Sequence, residues 1–536
     1  MTLTLSVRSF LVAATAAGAW AGLASPSFAE DPEAILEARC GACHSEEEGG
    51  GLSRIYHQRK TPEGWLMTIV RMGIMHGVEV PPDERRALVK YLADSQGLAP
   101  SETEKYRYAL ERRPNVIESL DFDEDYPYMC GRCHSGARGA LQRRTTEEWR
   151  LHVHFHLGQW PTTEYQFFGR DREWFKIATT ETAEMLGKQF PFETAAWSDW
   201  QAHEDPDLSG TWRFVGHGAA MGSYEGTADL KATDGEDQYA MSLTARYADG
   251  TEEVLVGSAI LYTGYEFRAR LSGGEGGDML MIGTVDENGN MGSGRAMLAD
   301  ADEIGSDYQA VRVASGTAAV LAVEPPFLKA GSKGTISIYG TGLSGDVSLG
   351  DGVTVVEVVS SEPGTVTVVA EAGADAMEGP RTVSVGGTDG GALTVYQNVD
   401  QVRVEPAFGI ARVGGAGGPI DRVKATFEAV AYAAGADGEA GTEDDLRIGP
   451  MDAAWALKPF DEVAAELDDT KFAGTMDPKL GVFTPAAAGL NPERPFSTNN
   501  AGNLTVVGTV DDGGTAVSGE GQLIVTVQRW NDPPIR

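Results

Sequence analysis

Two short segments of this chain bring together the residue types that attach a c-type haem. Residues 40–44 read Cys-Gly-Ala-Cys-His, and residues 130–134 read Cys-Gly-Arg-Cys-His. In such a C-x-x-C-H motif the two thiols form thioethers with the vinyl groups of one porphyrin, and the adjacent imidazole binds the iron. The motifs account for all four cysteines of the chain, which are Cys40, Cys43, Cys130 and Cys133. The spacing therefore predicts two covalently bound haem c groups.

A zinc site or a redox-active cysteine pair is the alternative for a C-x-x-C segment. A zinc site predicts further Cys or His residues at finger spacing, and a redox pair predicts a thioredoxin-like βαβ context. Neither pattern follows the two motifs in this sequence. We therefore favour haem attachment, with His44 and His134 as the proximal iron ligands.

The distal ligands are predicted from a repeat that follows each motif. Residues 61–65 and 145–149 both read Thr-x-Glu-x-Trp, with the threonine placed to cap the start of a helix. Side chains seven positions apart lie on the same face of a helix. Seven positions beyond the two tryptophans are Met72 and His156, and both residue types bind haem iron. We therefore predict His/Met ligation at the first haem and His/His ligation at the second.

Other residues near these positions remain candidates for distal ligation. At the second haem, His152 and His154 alternate with His156, so all three would share one face if the segment were extended. His154 is the next choice after His156. A methionine-ligated haem should have the higher potential, because soft sulfur favours Fe(II), so electrons should rest at the first haem. The competitors of Met72 at the first haem are Met67, Met75 and His76.

The first part of the mature chain is predicted to be mostly helical. A solvated loop containing His57, Arg59 and Lys60 is expected before the first Thr-x-Glu-x-Trp segment, with contact to haem propionates as the alternative. As in c-type cytochromes, the helix over residues 84–92 should pack on the helix that leads into the first motif. The predicted helices cover residues 32–39, 84–92, 101–113 and 179–188.

From about residue 204 the composition changes to alternating strands separated by Gly- and Asp-rich turns. We predict a small antiparallel barrel over residues 204–316 with an inert, structural interior. An immunoglobulin-like sandwich should follow over residues 317–399, and a second sandwich over residues 400–536. The fold class is therefore a multidomain chain, in which a mostly α dihaem cytochrome c domain (30–203) precedes three all-β domains.

Two local features of the last domain are also predicted from its sequence. Residues 424–430 alternate as one continuous strand. The acidic, glycine-rich segment from Asp437 to Asp445 is predicted to be a hairpin loop, with Ca²⁺ binding as the alternative, because its spacing differs from that of an EF-hand.

The first 29 residues have the features of an export signal peptide. Arg8 supplies the positive charge, residues 10–24 are apolar and alanine-rich, and residues 27–29 read Ser-Phe-Ala. Since c-type haem is attached after export, the mature chain should begin near Glu30 and reside in a bacterial periplasm. The formal net charge of −36 argues against nucleic acid and anionic membranes as electrostatic partners. No later segment is long and apolar enough to predict a membrane span.

In its domain order and motifs the chain resembles the alpha subunit of quinohaemoprotein amine dehydrogenase over essentially its full length. The resemblance implies a periplasmic heterotrimer, in which a β-propeller subunit and a small subunit with a cysteine tryptophylquinone accompany this chain. It also implies that a primary amine is oxidised to an aldehyde and ammonia at that quinone. The residues that carry the resemblance are the two C-x-x-C-H motifs, Trp65 with Met72, residues 75–78 and residues 153–161.

The resemblance further implies that the two haems pass electrons to a soluble blue copper protein or cytochrome, and that this chain supplies no catalytic acid, base or nucleophile. The sequence agrees, because no cysteine remains for a quinone cross-link and the β domains contain no triad or metal motif. The alternatives are a stand-alone dihaem electron carrier, a dihaem peroxidase with an open distal position, and a binding protein whose barrel carries a ligand while the haems act as a sensor.

Overall fold

A computed structural model describes residues 31–114, 116, 118, 125–131, 134–164, 172–314, 318–418 and 421–527. The predicted signal peptide and Cys133 lie outside these residues. Within them, no helix is both long and apolar enough to cross a membrane. The N-terminal domain includes the helices Pro32–Cys40, Pro62–His76, Pro82–Ser95, Pro100–Thr103, Arg107–Leu110, Asp125–Cys130, Ala137–Ala140, Thr146–Gln159, Trp174–Ile177, Ala183–Gln189 and Ala195–Trp200, with 3-10 turns at Ile55–His57 and Glu104–Tyr106 and a π turn at Ala178–Thr182.

The two halves of the N-terminal domain meet at a short antiparallel sheet. Strand β1 (Gln58–Lys60) pairs with β2 (Gln142–Arg144), so that Arg59 lies opposite Arg143. Both arginines donate to one buried carboxylate, that of Glu102, at 2.9 and 3.0 Å. The prediction of a solvated loop here is wrong, because Arg59 and its neighbour in the strand are only 2% and 4% exposed. A strand pair between distant segments, closed by a shared ion pair, buries them.

Each of these strands leads directly into a helix that a threonine caps. The Thr61 side chain accepts the N–H of Gly64, and that of Thr145 accepts the N–H of Glu148, so the capping predicted from the repeat is confirmed. We call Pro62–His76 the Trp65 helix and Thr146–Gln159 the Trp149 helix. Both tryptophans are buried, and their indole N–H groups donate to backbone carbonyls at 3.1 and 3.4 Å. The Trp65 helix and the Trp149 helix therefore begin in the same way, with a threonine cap followed by a buried tryptophan.

The other predicted helices are confirmed in part. The helix Pro82–Ser95 packs on Pro32–Cys40 through a core that contains Leu36, Leu88 and Leu92, as predicted. A single helix over residues 101–113 is wrong, because a 3-10 turn separates two short helices there. The Glu102 carboxylate also accepts the N–H of Ala99, which fixes the start of the first of these helices.

The second domain is a closed barrel of eight antiparallel strands, so the predicted barrel is confirmed. Its side chains fill the interior, where the cavity measures only about 40 Å³ and is lined by groups such as Trp212, Phe214 and Tyr308. This space is well below the roughly 300–1,000 Å³ of small-molecule sites. The strands are β3 Gly210–Gly218, β4 Gly222–Ala232, β5 Gln238–Tyr247, β6 Glu252–Tyr262, β7 Glu266–Gly274, β8 Gly277–Val285, β9 Met291–Leu298 and β10 Ala301–Arg312.

The third domain consists of two four-stranded sheets that enclose a core of Val, Leu and Ile side chains. One sheet has the order β11-β13-β16-β15, and the other has the order β12-β18-β17-β14. Its strands are β11 Ala319–Glu324, β12 Phe327–Lys329, β13 Lys333–Thr341, β14 Val347–Ser348, β15 Val353–Glu362, β16 Thr365–Ala372, β17 Gly379–Val385 and β18 Thr388–Tyr396.

The fourth domain has three sheets and two short helices, Glu462–Glu466 and Asp469–Phe472. The predicted strand over residues 424–430 is divided between two sheets, and the fully buried Phe427 lies at the break between them. The strands are β19 Gln401–Glu405, β20 Phe408–Arg412, β21 Ala425–Thr426, β22 Glu428–Ala433, β23 Leu446–Met451, β24 Ala454–Pro459, β25 Gly474–Met476, β26 Val482–Pro485, β27 Gly502–Asp511 and β28 Ala516–Thr526.

The acidic segment from Asp437 to Asp445 connects two antiparallel neighbours, β22 and β23, so it is a hairpin loop as predicted. Its carboxylates bind its own backbone, since Asp444 accepts the N–H of Asp437 and Asp445 accepts that of Gly441. Across the part of the chain that the structure describes, no group of three or more acidic, His or Cys side chains is arranged to hold a metal ion. The loop is therefore accounted for by its internal hydrogen bonds.

Candidate functional site

A cavity of about 390 Å³ lies beside the first C-x-x-C-H motif. Such a volume falls in the range of small-molecule and cofactor sites, and most of its lining is apolar. Both motif cysteines and the motif histidine line it, and so does Met72 from the Trp65 helix. The structure therefore brings together Cys40, Cys43, His44 and Met72, the four residues that the sequence assigns to the first haem.

The ring of His44 is oriented as a metal ligand requires. Its Nδ1 lies 2.8 Å from the carbonyl oxygen of Ser53, so Nδ1 carries the proton and Nε2 is the nitrogen that can ligate iron. His134 makes the same contact, with its Nδ1 2.8 Å from the carbonyl oxygen of Ser135. A backbone carbonyl thus fixes the tautomer of the motif histidine in both repeats.

The charge of this cavity is opposite to that of the whole chain. Five cationic side chains line it, and Glu148 is the one carboxylate among the described lining residues. Glu148 is paired with Arg54 and Arg144 at 2.9 and 3.0 Å. A surplus of positive charge in a partly buried cavity suits a cofactor with carboxylate groups, such as the two propionates of haem. The cationic residues are Arg39, Arg54, Lys60, Arg71 and Arg144.

Lys60 is the least expected of these residues. Its ammonium donates to the hydroxyl of Thr68 at 2.7 Å and lies 4.9 Å from the ring centre of Trp65, but it has no carboxylate partner within the described chain. Burial, and next the positive charge of Arg144, hold the pKa of Lys60 well below its ordinary value. A buried cation without a counter-ion is costly, and an anionic group in the cavity would remove that cost.

The alternative distal residues occupy different positions around the first cavity. Met67 and His76 line it together with Met72, whereas Met75 points outward and is 47% exposed. His76 lies at the exposed end of the Trp65 helix, where its ring centre is 6.4 Å from that of Phe155. The register that selects Met72 therefore remains a prediction, with two neighbours in the same cavity.

The second site forms around His134 and the Trp149 helix. The ring centres of His134 and His156 are 6.5 Å apart. Two imidazoles on opposite sides of one metal atom, with nitrogen–metal bonds of about 2 Å, have ring centres separated by about 6–6.5 Å. The Nδ1 atom of His156 is buried and has no hydrogen-bond partner among the described residues. Burial, and next the charge of His134, lower the pKa of His156 to about 4, so the ring is neutral, as a metal ligand must be.

The three alternating histidines do not share a face, because their segment is helical rather than extended. His152 and His156 are four positions apart and lie on the same side of the Trp149 helix, whereas His154 lies on another side. His154 is exposed and packs against Phe175, with ring centres 5.0 Å apart. The structure thus brings His156, and not His154, to His134.

Neither Cys40 nor Cys130 has the lowered pKa that is typical of a redox-active thiol. Burial, and next the neighbouring Cys43, raise the pKa of Cys40, and burial raises that of Cys130 to about 12. A redox-active pair instead needs a thiol whose pKa is lowered toward neutrality. No disulfide forms among Cys40, Cys43 and Cys130. The residues present therefore fit covalently attached haem in the first site, and the histidine pair fits a metal at the second.

Sequence analysis missed the contribution of the Trp149 helix to the first cavity. Glu148, His152 and Phe155 line it from the second repeat, and Arg144 lines it from β2. A signal was present, because Gln-Arg precedes both Thr-x-Glu-x-Trp segments and extends the repeat into the paired strands. Only the three-dimensional pairing shows that one repeat builds part of the other's site.

Four protein-family models match consecutive parts of the chain. The model described as quinohemoprotein amine dehydrogenase A, alpha subunit, haem binding, matches residues 30–197. Models described as alpha subunit domains II, III and IV of quinohemoprotein amine dehydrogenase match residues 205–313, 317–397 and 402–535. The resemblance drawn from the motifs is therefore confirmed.

No curated protein matches this chain. Among solved structures, a redesigned β-barrel, mFAP1, bound to DFHBI, is 16% identical over 20% of this chain and 94% of its own, with a TM-score of 0.17. The zebrafish RET cadherin-like domains 1 to 4 are 12% identical over 59% of this chain and 66% of theirs, with a TM-score of 0.18. TM-scores this low do not show a shared fold, whereas the family models cover all four domains. The chain belongs to the alpha-subunit family of quinohemoprotein amine dehydrogenase, a multi-subunit oxidoreductase, and its first domain is the haem-binding domain of that family.

Proposed function

We propose that this chain is the electron-transfer subunit of a periplasmic amine dehydrogenase and that it holds two haem c groups. The observation that carries the proposal is the first cavity, which is lined by Cys40, Cys43, His44 and Met72 inside a domain matched as haem-binding. Two thiols, a proximal imidazole and a distal thioether are the complete set of protein groups for one His/Met haem c. The second motif and His156 supply the equivalent set for a His/His haem.

The residues of the chain would have three tasks in this role. Cys40 and Cys43, and likewise Cys130 and Cys133, would bind the porphyrins covalently. His44 with Met72 and His134 with His156 would ligate the irons, and Lys60 and Arg144 would neutralise propionates in the first cavity. When bound, each haem supplies a one-electron redox centre. The proximity of His156 to His134 supports electron transfer over a peroxidase, which needs an open distal position.

The catalytic quinone would belong to another subunit. We infer a heterotrimer with a β-propeller subunit and a small subunit that carries cysteine tryptophylquinone, where a primary amine is oxidised to an aldehyde and ammonia. A soluble blue copper protein or cytochrome would accept the electrons. The membership of the chain in an alpha-subunit family supports this assembly. The mostly α first domain would hold the haems, and the immunoglobulin-like third and fourth domains would act as a scaffold.

Native purification tests the assembly. The protein should be isolated from its periplasm by its haem absorbance, without denaturation, and every co-purifying chain should be weighed and stained for quinone. We expect two further subunits, of which the smaller is quinone-positive. A single haem-positive chain without a quinone partner would contradict the amine dehydrogenase role and leave a stand-alone electron carrier.

Ligand variants test the two sites separately. Met72→Ala should change the spectrum of one haem and lower its potential, because a soft sulfur ligand is lost. His156→Ala should convert the other haem from a low-spin to a high-spin spectrum. Met75→Ala is the matched control, since Met75 is exposed and does not line the cavity. Unchanged spectra in both Met72→Ala and His156→Ala would refute the proposed ligand pairs.

A further inference from the structure

The Trp149 helix lies between the two sites and belongs to both. His156 faces His134 at the second site, with ring centres 6.5 Å apart. His152, one turn earlier, lines the first cavity together with Cys40 and Cys43. One helix therefore presents adjacent side chains of a single face to two different sites.

The rings of His152 and His156 are neighbours on one face of the Trp149 helix. Their centres are 6.4 Å apart and their planes are almost perpendicular, at 84°. Trp149 and Phe155 lie beside the ring of His152 on the same helix, and each of their ring centres is 6.2 Å from that of His152. The i,i+4 spacing of a helix imposes this proximity, so it does not depend on a flexible loop.

The ring of His152 is held by packing alone. Within the described part of the chain its nitrogen atoms have no hydrogen-bond partner, and the three aromatic neighbours on its own helix surround it. The residue is half-buried, so its nitrogen atoms are not sealed inside the protein. A histidine that lines a cofactor cavity without a partner in the protein is therefore available to contact whatever occupies that cavity.

We propose that His152 is a positioning residue that couples the two haem sites, as the packed group between the first cavity and the His156 ligand. This inference rests on the proposed function. When bound, each haem would supply a one-electron redox centre, and an electron lost by one iron would be gained by the other. No bond forms or breaks, and His152 is neither oxidised nor reduced. Its role is to fill the space between the sites with packed atoms, because a void provides no such contact.

Two substitutions of His152 separate packing from chemistry. His152→Ala opens a void between the sites, whereas His152→Phe keeps a ring of similar size without nitrogen atoms. His154→Ala is the matched control, because it removes a histidine from the same helix on a side that packs against Phe175. The experiment uses the full chain with both haems attached. Absorption spectra and the potential of each haem are recorded first, and the inter-haem transfer rate is then measured after pulsed one-electron reduction.

We expect His152→Ala to slow inter-haem transfer by about tenfold or more while both low-spin spectra persist, a change equivalent to about 1.4 kcal/mol in the barrier. His152→Phe should stay within about threefold of the unaltered protein, and His154→Ala should match it. An unchanged rate in His152→Ala, or the loss of one low-spin spectrum, would overturn the bridging role. Fewer than two haems in the unaltered chain would contradict the proposed function. That result is distinct from an unchanged transfer rate in a chain with both haems, which would contradict only the role of His152.

Discussion

The ion pair that joins the two repeats makes the sharpest prediction about stability. Glu102 accepts hydrogen bonds from Arg59 and Arg143, and the three side chains are only 6%, 2% and 7% exposed. Burial opposes the ionisation of Glu102, but the hydrogen bond from Arg59 and the charge of Arg143 hold its pKa below the ordinary value. Its contribution to stability is therefore fully present at neutral pH and is lost as the pH falls through the lowered pKa.

Glu102→Gln preserves the shape of this side chain but removes its charge. Two buried guanidinium groups are then left with one neutral acceptor, and breaking a buried pair in this way costs about 3–5 kcal/mol. The free energy of unfolding of the first domain should fall by that amount. Urea titrations that follow the haem absorbance measure it, and an unchanged slope with denaturant shows that the unfolding transition is otherwise the same.

Asp83→Asn is the matched control in the same domain. Asp83 pairs with Arg86, but the two side chains are 66% and 54% exposed, so the cost should stay below about 1 kcal/mol. If Glu102→Gln cost no more than this control, the shared ion pair would not hold the two repeats together. The antiparallel strand pair would then not be a fixed junction between the two halves of the N-terminal domain.

Three further substitutions, one of them with a matched control, test other junctions and the core. Trp65→Ala should destabilise the first domain by about 3–5 kcal/mol in urea titrations, because the ring is fully buried, whereas the half-exposed Trp160→Ala should cost under about 1 kcal/mol. The hydrogen bond that the His217 ring donates to the Glu428 carboxylate raises the pKa of His217, so this interdomain contact should stabilise the folded state at about pH 6 and weaken above the raised pKa. His217→Gln should abolish that difference, and its persistence would contradict the assignment. Burial raises the pKa of Glu266 to about 8, so Glu266→Gln should gain stability relative to the unaltered protein as the pH increases from about 5 to 8, and a loss would refute this.

Local patterns in the sequence predicted the features that depend on a few neighbouring residues. The two C-x-x-C-H motifs, the threonine caps and the helix Pro82–Ser95 are predicted from spacing along the chain. The structure confirms the caps and the packing of this helix on Pro32–Cys40. Alternating strands with regular turns also predicted a small antiparallel barrel, which the structure shows to have eight strands. These features could be read because each involves hydrogen bonds or side-chain faces within one element or between consecutive elements.

Features that depend on distant parts of the chain could not be read in the same way. Arg59 looks like a solvated residue until β1 pairs with β2 and Glu102 supplies a buried partner. His154 is a plausible ligand until the helix turns it toward Phe175. In both cases the sequence shows the residue type, but the partner that decides its role comes from a segment far along the chain.

The central claim is that electrons from an amine reach haem groups held by this chain. The most direct test adds a primary amine to the purified native complex under anaerobic conditions and records the haem absorption of this subunit. We predict that both haems become reduced and that a soluble copper protein or cytochrome then reoxidises them. Haems that stay oxidised with every amine tested, yet are reduced by a chemical reductant, would contradict the account.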